Sequence, residues 1–223
     1  MIEAVFFDLD GTLMDTSKDL GGALNRLRCE HGLAPFPETV TRAQVSNGAN
    51  ALVRLGFGEN LSAEQHQAYR QALLEHYLEN IAEHTYTFKG IEDLIQQLTQ
   101  IDIAWGIVTN KPNTYTTALM THFSFAKAPV VTICPDELQA AKPDPEGLLL
   151  ACELANCAPE RCVYVGDHKR DIDAGNNAGM ITIAVGYGFT ATERCHLAWG
   201  ADYTVDCATE IWPIIQRLAQ ANY

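Results

Sequence analysis

The feature that most restricts the fold of this sequence is its alternation of short apolar runs with helical patterns. Residues 2–7, 103–108, 130–133, 162–165 and 181–185 have the length and content of buried strands, with a weaker run at 203–205. Between them, residues 91–100, 113–122, 145–154, 172–178 and 208–218 carry helical periodicity. Strand followed by helix, repeated, predicts a parallel sheet covered on both faces. The expected class is α/β, a doubly wound, Rossmann-like parallel sheet.

One stretch breaks the alternation. From Asp15 to about Phe88 the pattern is helical, opened by Leu20, Ala23, Leu24, Leu27 and Leu33 and closed by Leu73, Leu74, Tyr77, Leu78 and Ile81. An all-helical cap domain over residues 15–87, inserted into a core made of 1–14 and 88–223, is the expected organisation. The insertion follows directly on an acidic turn and is expected to lie over it.

That turn is Asp8-Leu9-Asp10-Gly11-Thr12. Residues two apart in an extended chain project to the same side, so Asp8 and Asp10 are expected to converge at the carboxyl edge of the sheet, where open α/β folds bind ligands. Two such carboxylates need a cation, a shared proton or separate environments, and Gly11 permits close approach of a ligand to the backbone. Asp and Gly also favour plain turns, so the motif alone leaves both readings open.

Three more polar clusters sit at expected strand ends. Thr109 and Asn110, followed by Lys111, offer a hydroxyl, an amide and backbone N–H groups suited to phosphate oxygens, or an ordinary helix start. Lys142 is mounted in Lys142-Pro143-Asp144-Pro145, where two prolines stiffen the chain around a cation that would otherwise be solvated. Asp167 and Asp171 are four apart and face the same way if the turn between them is helical, although Asp171 also suits a helix start. Chance explains any one cluster, but poorly explains all four.

The order D-x-D-G-T, strand-end Thr, K-P-x-P, G-D-x-x-x-D resembles the haloacid dehalogenase (HAD) superfamily of phosphatases across essentially the whole chain. The resemblance implies a phosphoric monoester hydrolase with Asp8 as nucleophile and Asp10 as general acid and base. It implies that Thr109 and Lys142 bind the phosphoryl group. It further implies that Mg²⁺ is held by Asp8, the backbone carbonyl of Asp10 and Asp167, with Asp171 supporting Asp167 or a bound water. His168 departs from the small or acidic residue common at its position, and reads either as a neighbour of the metal ligands or as an exposed histidine without a role.

Within the superfamily the chain resembles the phosphoglycolate phosphatase group. Residues 105–112, 134–136 and 199–202 are similar to bacterial phosphatases acting on N-acetylmuramic acid 6-phosphate, which implies a sugar phosphate as the favoured substrate over 2-phosphoglycolate. Asn47 and Gly48, in the loop Ser46-Asn47-Gly48-Ala49-Asn50 with Arg54 nearby, are the candidate specificity residues, or simply a helix start. A β-phosphoglucomutase would carry a histidine where this chain has Leu20. A non-catalytic phosphate- or metal-binding module would have lost one of Asp8, Asp10, Lys142 or Asp167.

The formal net charge of −13 argues against a nucleic-acid partner, since phosphate backbones are held by a surplus of Lys and Arg. A small phosphate ester is still admissible, because one metal ion and one lysine reverse the field locally. With no basic leader and no long apolar run, the expected location is the cytoplasm, with no membrane partner. The seven cysteines are expected to be reduced and buried, and the intervals of five among Cys152, Cys157 and Cys162 suit neither a zinc knuckle nor a helix face.

Overall fold

The computed structural model describes residues 1–189 and 195–220. The elements in chain order are β1 Ala4–Phe7, β2 Met14–Asp15, α1 Ser17–Glu30, α2 Glu38–Val45, α3 Gly48–Phe57, α4 Ala63–Glu79 and β3 Tyr86–Thr87. There follow α5 Ile91–Gln100, β4 Ala104–Val108, α6 Asn113–Met120, β5 Thr132–Ile133 and α7 Glu146–Ala155. The chain continues through β6 Cys162–Gly166, α8 Lys169–Ala178, β7 Ile181–Val185, β8 Tyr203–Val205 and α9 Ile211–Gln220. It divides into two compact units, one of Met1–Met14 with Thr87–Tyr223 and one of Asp15–Tyr86.

The larger unit is built on a six-stranded parallel sheet in the order β5-β4-β1-β6-β7-β8. Strand β1 lies between β4 and β6, so the order reverses on either side of it. Its four residues, Ala4 to Phe7, are fully buried, which is why they read as an unbroken apolar run and not as an alternating one. Register brings the strand ends level: Phe7 pairs with Ile107 on one side and Val165 on the other. The amide of Asp8 continues the ladder to Val165 O at 2.9 Å, and that of Thr109 bonds Ile133 O at 3.0 Å. The residues that follow β1, β4 and β6 therefore emerge along one edge.

Expected and observed elements differ mainly at their ends. The run at 130–133 contributes only Thr132–Ile133 as a strand, although Val130 N still bonds Trp105 O at 2.8 Å. Helix α8 begins three residues before its apolar pattern, because Lys169, Arg170 and Asp171 form a polar first turn. Residues 208–210 are a 3-10 turn leading into α9.

The smaller unit holds α1 to α4. Leu20, Ala23, Leu24, Leu27, Leu73 and Tyr77 are buried, while Leu33 and Leu78, which the periodicity places with them, are exposed at 40% and 41%. Two-residue strands, β2 and β3, form a small sheet where no strand was expected, and the division between units falls within each. Pieces so short carry no side-chain period from which to be read. Two buried aspartates tie the ends of this unit together. Asp15 accepts from Ser17 N and Oγ, from Arg42 Nη1 at 2.5 Å and from Tyr86 Oη at 3.0 Å. Burial raises the Asp15 pKa, but these donors outweigh it and hold the carboxyl below its ordinary value. Asp19 accepts from His84 N, Thr85 N and Thr85 Oγ1.

All seven cysteines are free, but against expectation Cys29 and Cys207 are exposed, and Cys152, Cys157 and Cys162 form one group. Their sulfurs converge, because the chain reverses at Asn156, in the left-handed region at φ 53°, between α7 and β6. Spacing alone concealed this, since the reversal folds five-residue intervals back on themselves. Among the described residues no helix is long and apolar enough to cross a membrane.

Phe6 is fully buried in the central strand. Phe6→Ala is expected to lower stability by about 3–5 kcal/mol, read from the urea midpoint of the core unit.

Candidate active site

Asp8 follows β1, Thr109 follows β4, Asp167 follows β6, and Lys142 stands on the loop between β5 and α7. The carboxyl edge of the sheet brings them together, with Lys142 at the centre. Its Nζ donates to Asp8 Oδ1 at 2.8 Å, to Val108 O at 3.0 Å and to Tyr164 Oη at 2.7 Å, and pairs with Asp171 Oδ1 at 2.8 Å. Tyr164 Oη in turn donates to Val108 O at 2.8 Å. Burial pulls the Lys142 pKa down, but the carboxylates of Asp171 and Asp8 outweigh it and hold the ammonium well above its usual range.

Carboxylate oxygens of Asp8, Asp167 and Asp171 lie within 4.8 Å of one another, and all three residues are buried. Asp167 Oδ2 accepts from Phe189 N at 2.7 Å, and Oδ1 faces Thr12 Oγ1 at 3.4 Å. Burial first, then the charges of Asp8 and Asp171, push the Asp167 pKa well above the carboxylate range. Asp171 is pushed up to about 6, by burial and by Asp8, against the opposing pull of Lys142. Three carboxylates face one ammonium in a desolvated space. Such a set of hard oxygens with excess negative charge fits a divalent cation of the Mg²⁺ type.

The other expected site residues have more specific placements. Asp10 lies outside the carboxylate triplet, its side chain paired through both oxygens to Lys111 Nζ at 3.1 and 3.2 Å. Thr109 is buried and its Oγ1 accepts from Lys111 N at 3.1 Å. Asn110 is turned to the chain and not toward a ligand: its Nδ2 donates to Lys142 O at 3.0 Å and its Oδ1 accepts from Lys142 N at 3.1 Å. The amide clamps the lysine loop, so in this structure both of its functions are taken by the chain. Gly11 is placed by its backbone. At φ 91° it adopts a conformation that favours glycine, and the space a Cβ would claim there is filled by the Asp167 carboxylate, not left open to a ligand.

Asp171 accepts from His168 N at 3.0 Å, while the His168 ring caps α8, Nδ1 accepting from Arg170 N at 3.2 Å. The half-buried ring lies against Trp199, with centroids 6.3 Å apart. Burial, and then Arg170, depress its pKa to about 4. His168 is thus a neutral cap and not an exposed side chain without a role. In the smaller unit Asn47 precedes α3, which Gly48 opens at φ 76°. Asn47 and Arg54 line a cavity of about 490 Å³ together with Gln44, Asn50 and Glu59.

Sequence reasoning missed Tyr164 and the pairing of Lys111. The one signal for Tyr164 was a hydroxyl inside an otherwise apolar strand, where a buried Tyr must find a partner.

Comparison with known proteins agrees with this architecture. Residues 5–185 match the family described as haloacid dehalogenase-like hydrolase. The N-acetylmuramic acid 6-phosphate phosphatase of Pseudomonas aeruginosa is 38% identical over 216 residues, covering 97% of this chain and 96% of that protein. The phosphoglycolate phosphatase of Xanthomonas campestris is 34% identical over 209 residues, 94% of each. A crystal structure of a predicted phosphoglycolate phosphatase from Haemophilus somnus superposes with a TM-score of 0.85 at 22% identity, covering 96% of this chain and 98% of that one, which bears on the fold alone. The chain belongs to the haloacid dehalogenase-like hydrolase family. Its enzyme class is that of phosphoric monoester hydrolases.

Tyr164→Phe removes the hydroxyl shared by Lys142 and Val108. The expected loss is about 1–3 kcal/mol of stability, from a buried donor left short of a partner. Because Lys142 would also gain freedom, kcat is expected to fall with KM nearly unchanged, in steady-state phosphatase assays alongside urea denaturation.

Proposed function

We propose that the chain hydrolyses a small phosphate ester through an aspartyl-phosphate formed on Asp8, with Mg²⁺ as cofactor. The observation that carries this reading is the meeting of Asp8, Lys142, Asp167 and Asp171 at one sheet edge, three acids to one base. Phosphoryl transfer asks chiefly for positioning and neutralisation of charge. Asp8, the carbonyl of Asp10 and Asp167 would hold the ion, with Asp171 supporting them. When bound, the ion offsets the repulsion between these carboxylates and an incoming phosphate dianion.

The chain's own residues supply the rest. Lys142 and Thr109 orient the phosphoryl oxygens, and the tether from Tyr164 and Val108 keeps the ammonium beside Asp8. A carboxylate oxygen of Asp8 attacks phosphorus as the ester P–O bond breaks, and Asp10 gives its proton to the departing oxygen. Asp10 then takes a proton from the water that cleaves the phosphoaspartate, returning Asp8 as carboxylate and releasing inorganic phosphate. Lys111, paired to both Asp10 oxygens, fixes the direction in which that carboxylate points.

For the substrate we favour N-acetylmuramic acid 6-phosphate over 2-phosphoglycolate, in line with the higher identity to the phosphatase named for it. Asn47, Gly48 and Arg54 of the inserted unit are the candidates for reading the part of the substrate beyond the phosphate. We place the reaction in the cytoplasm, with no nucleic-acid or membrane partner.

Asp10→Asn is expected to lower kcat for p-nitrophenyl phosphate by about 10²–10⁴-fold. Asp8→Ala should abolish both turnover and the radiolabelled phosphoenzyme trapped by acid quench. Near-full turnover in either variant would remove that residue from the mechanism. Chelation should silence the wild-type enzyme and added Mg²⁺ restore it; activity that persists in a chelator would exclude the cofactor.

The substrate assignment predicts a higher kcat/KM for N-acetylmuramic acid 6-phosphate than for 2-phosphoglycolate, measured side by side on one preparation. A tenfold preference for phosphoglycolate would overturn it.

A further inference from the structure

At the opposite edge of the sheet from the acidic cluster, three cysteine sulfurs meet. Cys152 lies in the last turn of α7, Cys157 follows the reversal at Asn156, and Cys162 opens β6. Cys162 Sγ is 3.7 Å from Cys152 Sγ and 3.2 Å from Cys157 Sγ, and the three atoms lie within 4.8 Å of one another. Cys152 and Cys162 are buried, whereas Cys157 is only half-buried and gives the cluster its access to solvent. We propose that Cys152, Cys157 and Cys162 form a site for a soft divalent cation of the Zn²⁺ class, held by three thiolates with a fourth position open at the Cys157 side.

The spacing suits that chemistry. With Zn–S bonds near 2.3 Å, tetrahedral ligands sit about 3.8 Å apart. The Cys152–Cys162 pair already has this separation, and the Cys157–Cys162 pair, with Cys157 on a loop, falls short of it by only about half an ångström. Thiolates select soft cations over Mg²⁺, which prefers oxygen. Charge selects the divalent class. Arg161 is taken up by Glu3 at 3.0 Å, and Glu3 and Glu160 both act on the cluster as negative charges. Three thiolates with a monovalent ion would leave two negative charges beside these acids; a divalent ion leaves one. Binding releases the protons of whichever thiols are protonated to the buffer and changes no oxidation state.

The site differs from the phosphatase centre in place and in ligand type. Strand β6 runs from Cys162 at one edge to Gly166 at the other, about 13 Å in an extended chain. Occupancy is therefore measurable while Mg²⁺ is present in excess.

The test titrates Cd²⁺, as a spectroscopic stand-in for Zn²⁺, into the full chain carrying Cys29→Ser and Cys207→Ser, which remove the exposed thiols. Millimolar Mg²⁺ is kept present to occupy the carboxylate site. The expected result is thiolate-to-metal charge-transfer absorption saturating at one equivalent, with three thiols protected from alkylation. Cys157→Ser, at the half-buried position, should weaken binding by at least about 100-fold, since even loss of an outer-sphere partner costs 10–100-fold. Circular dichroism and phosphatase activity of that variant should match the parent. Absence of the band, a band insensitive to Cys157→Ser, or a mass two units lighter from a Cys157–Cys162 disulfide in the protein as isolated would overturn the proposal.

Discussion

The ion contacts of Lys142 are the constraint on which the rest of the site depends. One ammonium reaches Asp8, after the first strand, and Asp171, in the first turn of α8, while holding Val108 O at the end of β4 and Tyr164 inside β6. A buried ammonium is tolerable only when its charge and donors are satisfied, and here they are satisfied by groups from four separate segments. The cost of leaving any of these unmade keeps the segments in register. Asn110 closes the arrangement from the other side, pairing both of its amide functions with the backbone of the lysine it faces.

Much of this was legible in the residues. Buried parallel strands declare themselves as apolar runs, and Asp8, Thr109 and Asp167 stand at strand ends because polar residues terminate those runs, whereas Lys142 reaches the same edge from a loop nine residues beyond β5. The rest depended on facts to which sequence spacing is blind. That Asn110 pairs with the backbone of Lys142 depends on the path of a distant loop. Gly11 signalled a close approach, but the approaching group is Asp167, which lies 156 positions along the chain. Intervals of five did not announce a cluster at Cys152, Cys157 and Cys162, because a left-handed Asn156 reverses the chain between them, a conformation that composition does not reveal. Leu78 fits the helical period of α4 yet is exposed, since periodicity assigns a face and not the presence of a neighbour to cover it, whereas Leu33 is exposed because α1 has already ended at Glu30.

The two carboxylates of the opening motif illustrate how environment separates roles. Asp8 stands among buried carboxylates and beside the ammonium, where an anion is both crowded and neutralised. Asp10, two residues on, is joined by Lys111 at a margin more open to solvent. Identical side chains in one turn thereby meet different partners, which is what the proposed division between nucleophile and proton carrier would require.

An acidic chain that binds an anion poses an electrostatic problem, and the distribution of charge answers it. The formal net charge is −13, so the mean field repels a phosphate ester. Screening confines that mean field to about 8–10 Å at physiological ionic strength, and what acts at bonding distance is the local set. Among the described residues the buried lysines are Lys111 and Lys142, and both stand at the carboxyl edge beside the acids of the opening motif. Their partners leave an excess of carboxylate that a divalent ion would turn into a net attraction for phosphate. On the proposed mechanism the cation would serve substrate entry as well as the reaction itself, because without it the edge remains as anionic as the ligand it has to admit.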